Sequence, residues 1–117
     1  MSLILCFDID ETICKTDGAD YLNSRPIKER IDQINKLYEQ GNIIKILTAR
    51  GAVTGIDWTE LTTKQLNLWG LKYHELHLTK PYADVYVDDK GVNDLIFFKN
   101  LKKNSLIFVL KKILRRE

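Results

Sequence analysis

The stretch Leu3-Ile4-Leu5-Cys6-Phe7-Asp8-Ile9-Asp10-Glu11-Thr12 decides the fold of this 117-residue chain. Residues 3–7 are uncharged and mostly apolar, which is typical of a strand buried on both faces in the middle of a parallel sheet. The run ends in two aspartates, Asp8 and Asp10, followed by Thr12. Carboxylates at the carboxyl end of a buried strand suit a site in the crevice of an open α/β sheet. The alternative is an exposed strand end that forms an Asx turn.

Strand and helix patterns alternate along the rest of the chain. Apolar runs predict strands over residues 42–47, 73–78, 83–87 and 105–110, and helical spacing predicts helices within 24–40, 57–69 and 91–99. Ser24 is the expected cap of the first helix with Pro26 in its first turn, and Asp57 with Glu60 resembles a capping box. This alternation predicts an α/β fold in one domain, residues 1–117, with a doubly wound, mostly parallel sheet in three layers, α/β/α.

Composition limits the classes of partner. Hydrophobic residues make up 44% of the chain and charged residues 29%, and the net charge of +2 is too small to predict binding of nucleic acid or membrane by the whole domain. No apolar run approaches the roughly 18 residues of a membrane span, and no signal peptide is visible. Cys6 and Cys14 fit neither a disulfide framework nor a zinc site, so we expect reduced thiols and a cytoplasmic location.

Polar side chains follow the predicted strands at their carboxyl ends. Right-handed crossovers place all these ends at one edge of the sheet. Several carboxylates at one edge repel each other unless a cation lies among them, and such oxygen ligands favour Mg²⁺. A lysine and a hydroxyl beside that cation are suited to binding a phosphoryl group. The edge is expected to collect Asp8, Asp10, Thr48, Lys80, Asp88 and Asp89.

Four short segments carry a family resemblance. The segments are Asp8-Ile9-Asp10-Glu11-Thr12, Thr48-Ala49-Arg50, Lys80-Pro81 and Val87-Asp88-Asp89. In that order they resemble the four motifs of the haloacid dehalogenase (HAD) superfamily. The resemblance implies a Rossmann-like core and a phosphatase that acts through an aspartyl-phosphate. It also implies roles: Asp8 as nucleophile, Asp10 as general acid and base, and Thr48 and Lys80 as ligands of the phosphoryl group.

The resemblance further implies a Mg²⁺ site. Its ligands would be Asp8, the main-chain carbonyl of Asp10 and Asp89, with Asp88 as a further ligand or a close neighbour. The expected contacts with the substrate are Thr12, Thr48, Arg50 and Lys80.

Two positions are left open by the sequence. Arg50 could bind a second anionic group of the substrate or form a structural ion pair. Asn93 stands where many relatives have an aspartate, and either Asn93 or its neighbour Asp94 could bond to Lys80 or to water on the metal.

The spacing between the motifs leaves no room for a cap domain. Roughly 35 residues separate Thr12 from Thr48 and roughly 30 separate Thr48 from Lys80, and a helix with a strand uses most of each interval. This resembles the capless HAD subclass, whose members act on large substrates or as oligomers. We therefore expect a homo-oligomer acting on a small phosphorylated metabolite, first a sugar phosphate as in surface-polysaccharide pathways. The alternative is a macromolecular substrate, either a nucleic-acid end or a phosphoprotein.

Overall fold

The computed structural model describes residues 2–78, 83–88, 92–102 and 106. The strands are β1 (Ile4–Asp8), β2 (Cys14–Lys15), β3 (Arg25–Pro26), β4 (Ile43–Leu47), β5 (Glu75–His77), β6 (Val85–Asp88) and β7 (Val92–Asn93). The helices are α1 (Lys28–Glu39), α2 (Thr59–Leu68) and α3 (Asp94–Leu101), and a short 3₁₀ turn covers Tyr21–Asn23.

Five strands form a parallel sheet in the order β5-β4-β1-β6-β7. The strand that carries Asp8 and precedes Asp10 is central, with β4 on one side and β6 on the other. The chain moves outward from β1 through β4 to β5, then crosses β1 to β6, so the strand order reverses at β1. The prediction of an α/β fold with a mostly parallel, Rossmann-like sheet is confirmed.

A hydrophobic core packs against one face of this sheet. Leu5 is in register with Ile44 and Val85, and Phe7 is in register with Ile46 and Val87, so these side chains share a face. All of them are buried in one cluster, to which each helix contributes: Ile31, Ile34 and Leu37 from α1, Leu66 from α2, and Phe97 and Phe98 from α3. Because the described helices all join this one cluster, the second helical layer stays a prediction.

The first two helices begin later than predicted, the first by about one turn and the second by a single residue. Helix α1 begins at Lys28 after Ile27, whereas Ser24 and Pro26 lie in the preceding segment. The reason is that β3, at the predicted start of the helix, pairs antiparallel with β2 and forms a small hairpin. Helix α2 begins at Thr59, and Asp57 accepts a hydrogen bond from the Thr59 amide (2.9 Å) without forming the capping box.

The helix and the strand predicted for the carboxyl-terminal part of the chain differ from the structure. Helix α3 covers Asp94–Leu101 rather than 91–99, because Val92 and Asn93 pair with β6 before the helix begins. Leu106, the one described residue of the strand predicted over 105–110, is helical and buried, so the strand is wrong at that position. A short apolar run cannot by itself be distinguished from a buried helical segment. Across the described ranges no helix is long and apolar enough to cross a membrane.

Candidate active site

The carboxyl ends of three adjacent strands bring together Asp8, Thr48 and the main chain of Asp88. Asp8 ends β1, Thr48 follows Leu47 at the end of β4, and Asp88 ends β6. Asp8 is in register with Leu47, and Phe7 with Val87, so these residues share the sheet edge at the strand spacing of about 4.8 Å. The convergence predicted for this edge therefore holds for the parts that the structure describes. Lys80, Asp89 and the side chain of Asp88 lie outside the described portion.

A tight turn after β1 positions Asp10. The Ile9 carbonyl accepts hydrogen bonds from the amides of Thr12 (3.1 Å) and Ile13 (2.8 Å), which makes one helical turn. Glu11 has a φ of 67°, a left-handed conformation that costs a side-chain-bearing residue about 1 kcal/mol. Its carboxylate accepts a bond from the Thr16 amide at 3.0 Å, which ties the turn to the hairpin. The turn thus brings the hairpin against the Asp10 side chain.

Both carboxylate oxygens of Asp10 are hydrogen-bonded. Arg50 donates from Nη2 to Oδ1 at 2.8 Å and from Nε to Oδ2 at 3.0 Å, a bidentate pair. The Thr16 hydroxyl donates to Oδ1 at 2.6 Å, and the Cys14 thiol lies 3.6 Å from the same oxygen. The Asp10 side chain is 26% exposed, so it lies at the border between the core and the cleft.

Arg50 is enclosed by polar acceptors. Its side chain has no exposed surface. Nη1 donates to Thr62 Oγ1 (3.2 Å) and Gln65 Oε1 (2.6 Å), both on α2, and Nη2 also donates to Ser24 Oγ (3.2 Å). The guanidinium carbon lies 4.7 Å from the centre of the Tyr21 ring. Of the two interpretations of Arg50, the structure contains the ion pair, and contact with a substrate stays a prediction.

Burial and hydrogen bonding have opposite effects on the pKa of Asp10. Burial raises the pKa, but the hydrogen bonds from Arg50 and Thr16 and the Arg50 charge together lower it below its usual range. Burial also raises the pKa of the neighbouring Cys14 thiol, to about 11. The site therefore favours a charged carboxylate at Asp10 beside a neutral thiol at Cys14.

Thr48 is positioned by its main chain and by Arg50. Its amide donates to the His77 carbonyl of β5 at 2.9 Å, and its hydroxyl accepts a bond from the Arg50 amide at 3.0 Å. Thr48 is 2% exposed. Because the hydroxyl is an acceptor in this bond, its hydrogen can be donated to another oxygen at the sheet edge.

Thr12 is fully buried and does not line the surface of a cleft. It has no exposed surface, and its carbonyl accepts a bond from Arg30 Nη1 at 2.9 Å. Its hydroxyl has no hydrogen-bond partner within the described part of the chain. The contact with substrate expected for Thr12 stays a prediction.

Asn93 and Asp94 have structural partners. The Asn93 side chain caps α3 by accepting a bond from the Ile96 amide at 3.2 Å. Asp94 accepts a bond of 2.7 Å from Arg30 on α1. Asn93 therefore caps the first turn of α3, and Asp94 attaches this helix to α1.

The oxygen donors at this edge match the chemistry of Mg²⁺. Asp8 offers a carboxylate and Asp10 a main-chain carbonyl, and β6 ends in Asp88 beside β1. Hard oxygen ligands of this kind suit a small divalent cation. Within the described residues, no three acidic, histidine or cysteine side chains lie close enough together to hold a metal ion.

A mostly apolar cleft opens beside Ala49. Its volume is about 330 Å³. The ring of Tyr21 meets that of Trp58 edge to face at 5.0 Å in its wall, and Val53 at its rim is 98% exposed. The lining residues are Ala19, Tyr21, Ala49, Gly51, Ala52, Val53, Thr54, Ile56 and Trp58.

The sequence did not indicate most of the residues that surround Asp10 and Arg50. Thr16 falls in residues 13–23, which are predicted as a loop, Ser24 is predicted as a helix cap, and Thr62 and Gln65 fall in a predicted helix. The one available signal was polarity on the inner side of that helix, since Thr62 and Gln65 lie close to the buried Leu66. Their contacts depend on the approach of α2 to the hairpin, which no local pattern predicts.

Comparison with known proteins supports the fold. No protein-family model and no curated protein matches the sequence. The crystal structure of a Vibrio cholerae protein is similar over 100% of both chains, with a TM-score of 0.74 and 23% identity. This similarity supports the same fold for the two proteins and carries no information on activity.

Proposed function

We propose that this protein is a Mg²⁺-dependent phosphatase of the HAD superfamily that hydrolyses a phosphate monoester. The observation that carries the proposal is the convergence of Asp8 and Thr48 on adjacent strand ends, with Asp10 held beside them by Arg50. These are the positions that the resemblance assigns to the nucleophile, the phosphoryl ligand and the general acid and base. Lys80 and Asp89 complete the proposed set.

The reaction proceeds in two displacements at phosphorus. In the first, a carboxylate oxygen of Asp8 forms a bond to phosphorus while the ester P–O bond breaks, and the leaving oxygen takes a proton from the carboxyl group of Asp10. In the second, Asp10 removes a proton from water, the water oxygen bonds to phosphorus, and the Asp8–phosphorus bond breaks. Inorganic phosphate leaves, Asp8 is again a carboxylate, and Asp10 again carries its proton.

Each of the other residues contributes charge or position. Thr48 donates its hydroxyl hydrogen to a phosphoryl oxygen, and Lys80 neutralises charge on the same group. Asp8, the Asp10 carbonyl and Asp89, with Asp88 close by, would hold Mg²⁺, which when bound supplies positive charge for the phosphoryl oxygens. The pairing of Asp10 with Arg50 favours the charged carboxylate, which is the form that accepts a proton from water in the second displacement. For the first displacement Asp10 takes up a proton from solvent, against the lowering of its pKa by Arg50.

The open edge of the sheet supports assignment to the capless subclass. Between β1 and β4 the chain forms only the small hairpin, a 3₁₀ turn and α1, and between β4 and β5 it forms only α2. A small phosphorylated metabolite, first a sugar phosphate, remains the primary candidate substrate. A second copy of the chain that closes the site stays a prediction, and light scattering after size exclusion measures it.

The apolar cleft beside Ala49 favours a second candidate, a phosphoprotein phosphatase. A sugar needs hydrogen-bonding partners for its hydroxyls, whereas the cleft presents mainly carbon atoms and the exposed side chains of Val53 and Ile56. Apolar side chains that flank a phosphorylated residue would bury this surface.

The test is phosphate release from sugar phosphates, sugar-acid phosphates, nucleotides, a 5′-phosphorylated oligonucleotide and a phosphopeptide. Each is assayed with Mg²⁺ and with chelator, for the wild-type protein and for Asp8→Asn. We expect metal-dependent release from one class and loss of at least about 1,000-fold in the variant, because a carboxamide is too weak a nucleophile to form the covalent bond to phosphorus. Metal-independent release, or full activity of the variant, would contradict the proposal.

A further inference from the structure

The guanidinium of Arg50 has an acceptor for each of its N–H groups. Of the five donors of an arginine, two reach Asp10, one reaches Ser24, and two reach Thr62 and Gln65. The side chain is fully buried. A buried group with all its donors used can bind a substrate anion only by breaking bonds that are already made.

We propose that Arg50 is a positioning residue that holds the Asp10 carboxylate in one orientation and does not bind the substrate. The two parallel bonds from Nε and Nη2 to the two carboxylate oxygens fix rotation of the carboxylate about its own axis. The Thr16 hydroxyl, at 2.6 Å from Oδ1, fixes it from the hairpin side. The catalytic meaning of this positioning rests on the proposed function, in which Asp10 transfers protons.

Helix α2 holds Arg50 in place through hydrogen bonds. Gln65 Oε1 accepts from Nη1 at 2.6 Å, and Gln65 Nε2 donates to the Tyr21 carbonyl at 2.6 Å. One amide side chain therefore holds both the arginine and the segment that carries its aromatic neighbour. A catalytic group tolerates displacements of only about 0.5 Å, so loss of a support that does not touch the substrate still lowers the rate.

The first test measures kcat and KM with the ester that the wild-type protein hydrolyses fastest. Arg50→Lys retains the positive charge but lacks the two parallel N–H donors, and Arg50→Met removes both the charge and the donors. We expect kcat to fall by about 10–100-fold in both variants, as for other residues that orient a reacting group, while KM stays within about threefold. Gln65→Met leaves both charges in place and should lower kcat by about tenfold.

Combination with Asp10→Asn separates positioning from a general loss of structure. If Arg50 acts through Asp10, Arg50→Met should cost less than about threefold in the Asp10→Asn background, because residues acting as one unit are not additive. Arg25→Met is the matched control: this arginine lies on the hairpin, its side chain is 64% exposed, and no change is expected. A KM increase above about tenfold with unchanged kcat, or a full Arg50→Met loss in the Asp10→Asn background, would overturn the proposal.

A measurement that needs no activity tests the same contact. In ¹⁵N NMR spectra the Arg50 Nε–H should exchange with water at least about tenfold more slowly than that of Arg25, because it is buried and bonded to Asp10. The protection should disappear in Asp10→Ala. If the protection depends on Asp10 but the protein cleaves no ester, the contact between Arg50 and Asp10 is supported and the proposed phosphatase function is rejected. An Arg50 exchange rate equal to that of Arg25 would reject the pair itself.

Discussion

Arg30 of α1 and Asp94 of α3 form an ion pair of 2.7 Å in which the two side chains are 13% and 10% exposed. The same nitrogen of Arg30 donates to the Thr12 carbonyl at 2.9 Å, and the guanidinium carbon lies 4.9 Å from the centre of the Phe98 ring. One arginine therefore joins the turn after β1 to both helices. This contact holds the segment that carries Asp10 against the core.

Removal of one partner of this pair should be costly. Asp94→Leu leaves the Arg30 charge nearly buried and should lower the free energy of unfolding by about 3 kcal/mol, as measured by urea denaturation at pH 7. The double variant Arg30→Met with Asp94→Leu should lose less than the sum of the two single variants. The pair of Lys102 with Glu29 is the control, because its side chains are 59% and 60% exposed. Glu29→Gln should change stability by less than about 0.5 kcal/mol, and an equal effect at the two sites would contradict the expectation.

Gly51 is required by the close approach of its own loop. It has a φ of 83°, and a Cβ atom there would lie 2.0 Å from the Ile56 carbonyl oxygen. Gly51→Ala should cost about 1 kcal/mol for the left-handed backbone and about 1–3 kcal/mol more for the overlap with main-chain atoms. Because Gly51 follows Arg50, the variant should also lower phosphatase activity. Thermal and urea unfolding measure the first effect, and kcat measures the second.

Gly55 in the same loop provides the matched control. It has a φ of 78°, and no atom lies within 4 Å of an added Cβ. Gly55→Ala should therefore lose only the backbone contribution of about 1 kcal/mol. Equal destabilisation by the two alanines would show that the loop moves away from residue 51 without cost.

The sheet could be predicted from the sequence because its signals are local. Five apolar residues before Asp8 indicate a buried central strand whatever the rest of the chain does. The network at Asp10 could not be predicted in the same way. Its members Thr16 and Ser24 have no distinguishing spacing, and Ser24 looks like a helix cap until Pro26 is found paired with β2.

The role of Arg50 shows the same limit at a single residue. Its position directly after Thr48 and Ala49 predicts a place near Asp10, and the two side chains are in contact. Whether its side chain faces the cleft or the core depends on Gln65, which lies fifteen residues later on a different element. A motif therefore predicts where the chain passes, while the direction of a side chain depends on tertiary contacts.

Asp57 should give the protein a pH-dependent contribution to stability. Hydrogen bonds from the Thr59 side chain and amide lower the pKa of Asp57 in the folded state. A lowered pKa stabilises the fold above the unfolded value of about 4, and this contribution is lost as the pH falls through the folded pKa. Asp57→Asn keeps the acceptor but lacks the charge. Its difference from the wild-type free energy of unfolding should therefore shrink as the pH falls from 6 to about 2.5. A constant difference over this range would contradict the assignment.

Thr12 offers a way to separate a substrate contact from a structural position. Its hydroxyl is fully buried and has no partner in the part of the chain that the structure describes. Thr12→Val replaces that hydroxyl with a methyl group of similar size, so we expect the free energy of unfolding to rise by about 1 kcal/mol. Thr12→Ser keeps the hydroxyl and removes the methyl group, and it should lower stability by about 1 kcal/mol.

Urea unfolding and kcat/KM are measured for both Thr12 variants. A loss of stability in Thr12→Val would indicate that the hydroxyl has a partner. Activity reduced about tenfold in the valine variant but retained in the serine variant would support contact between the hydroxyl and the substrate.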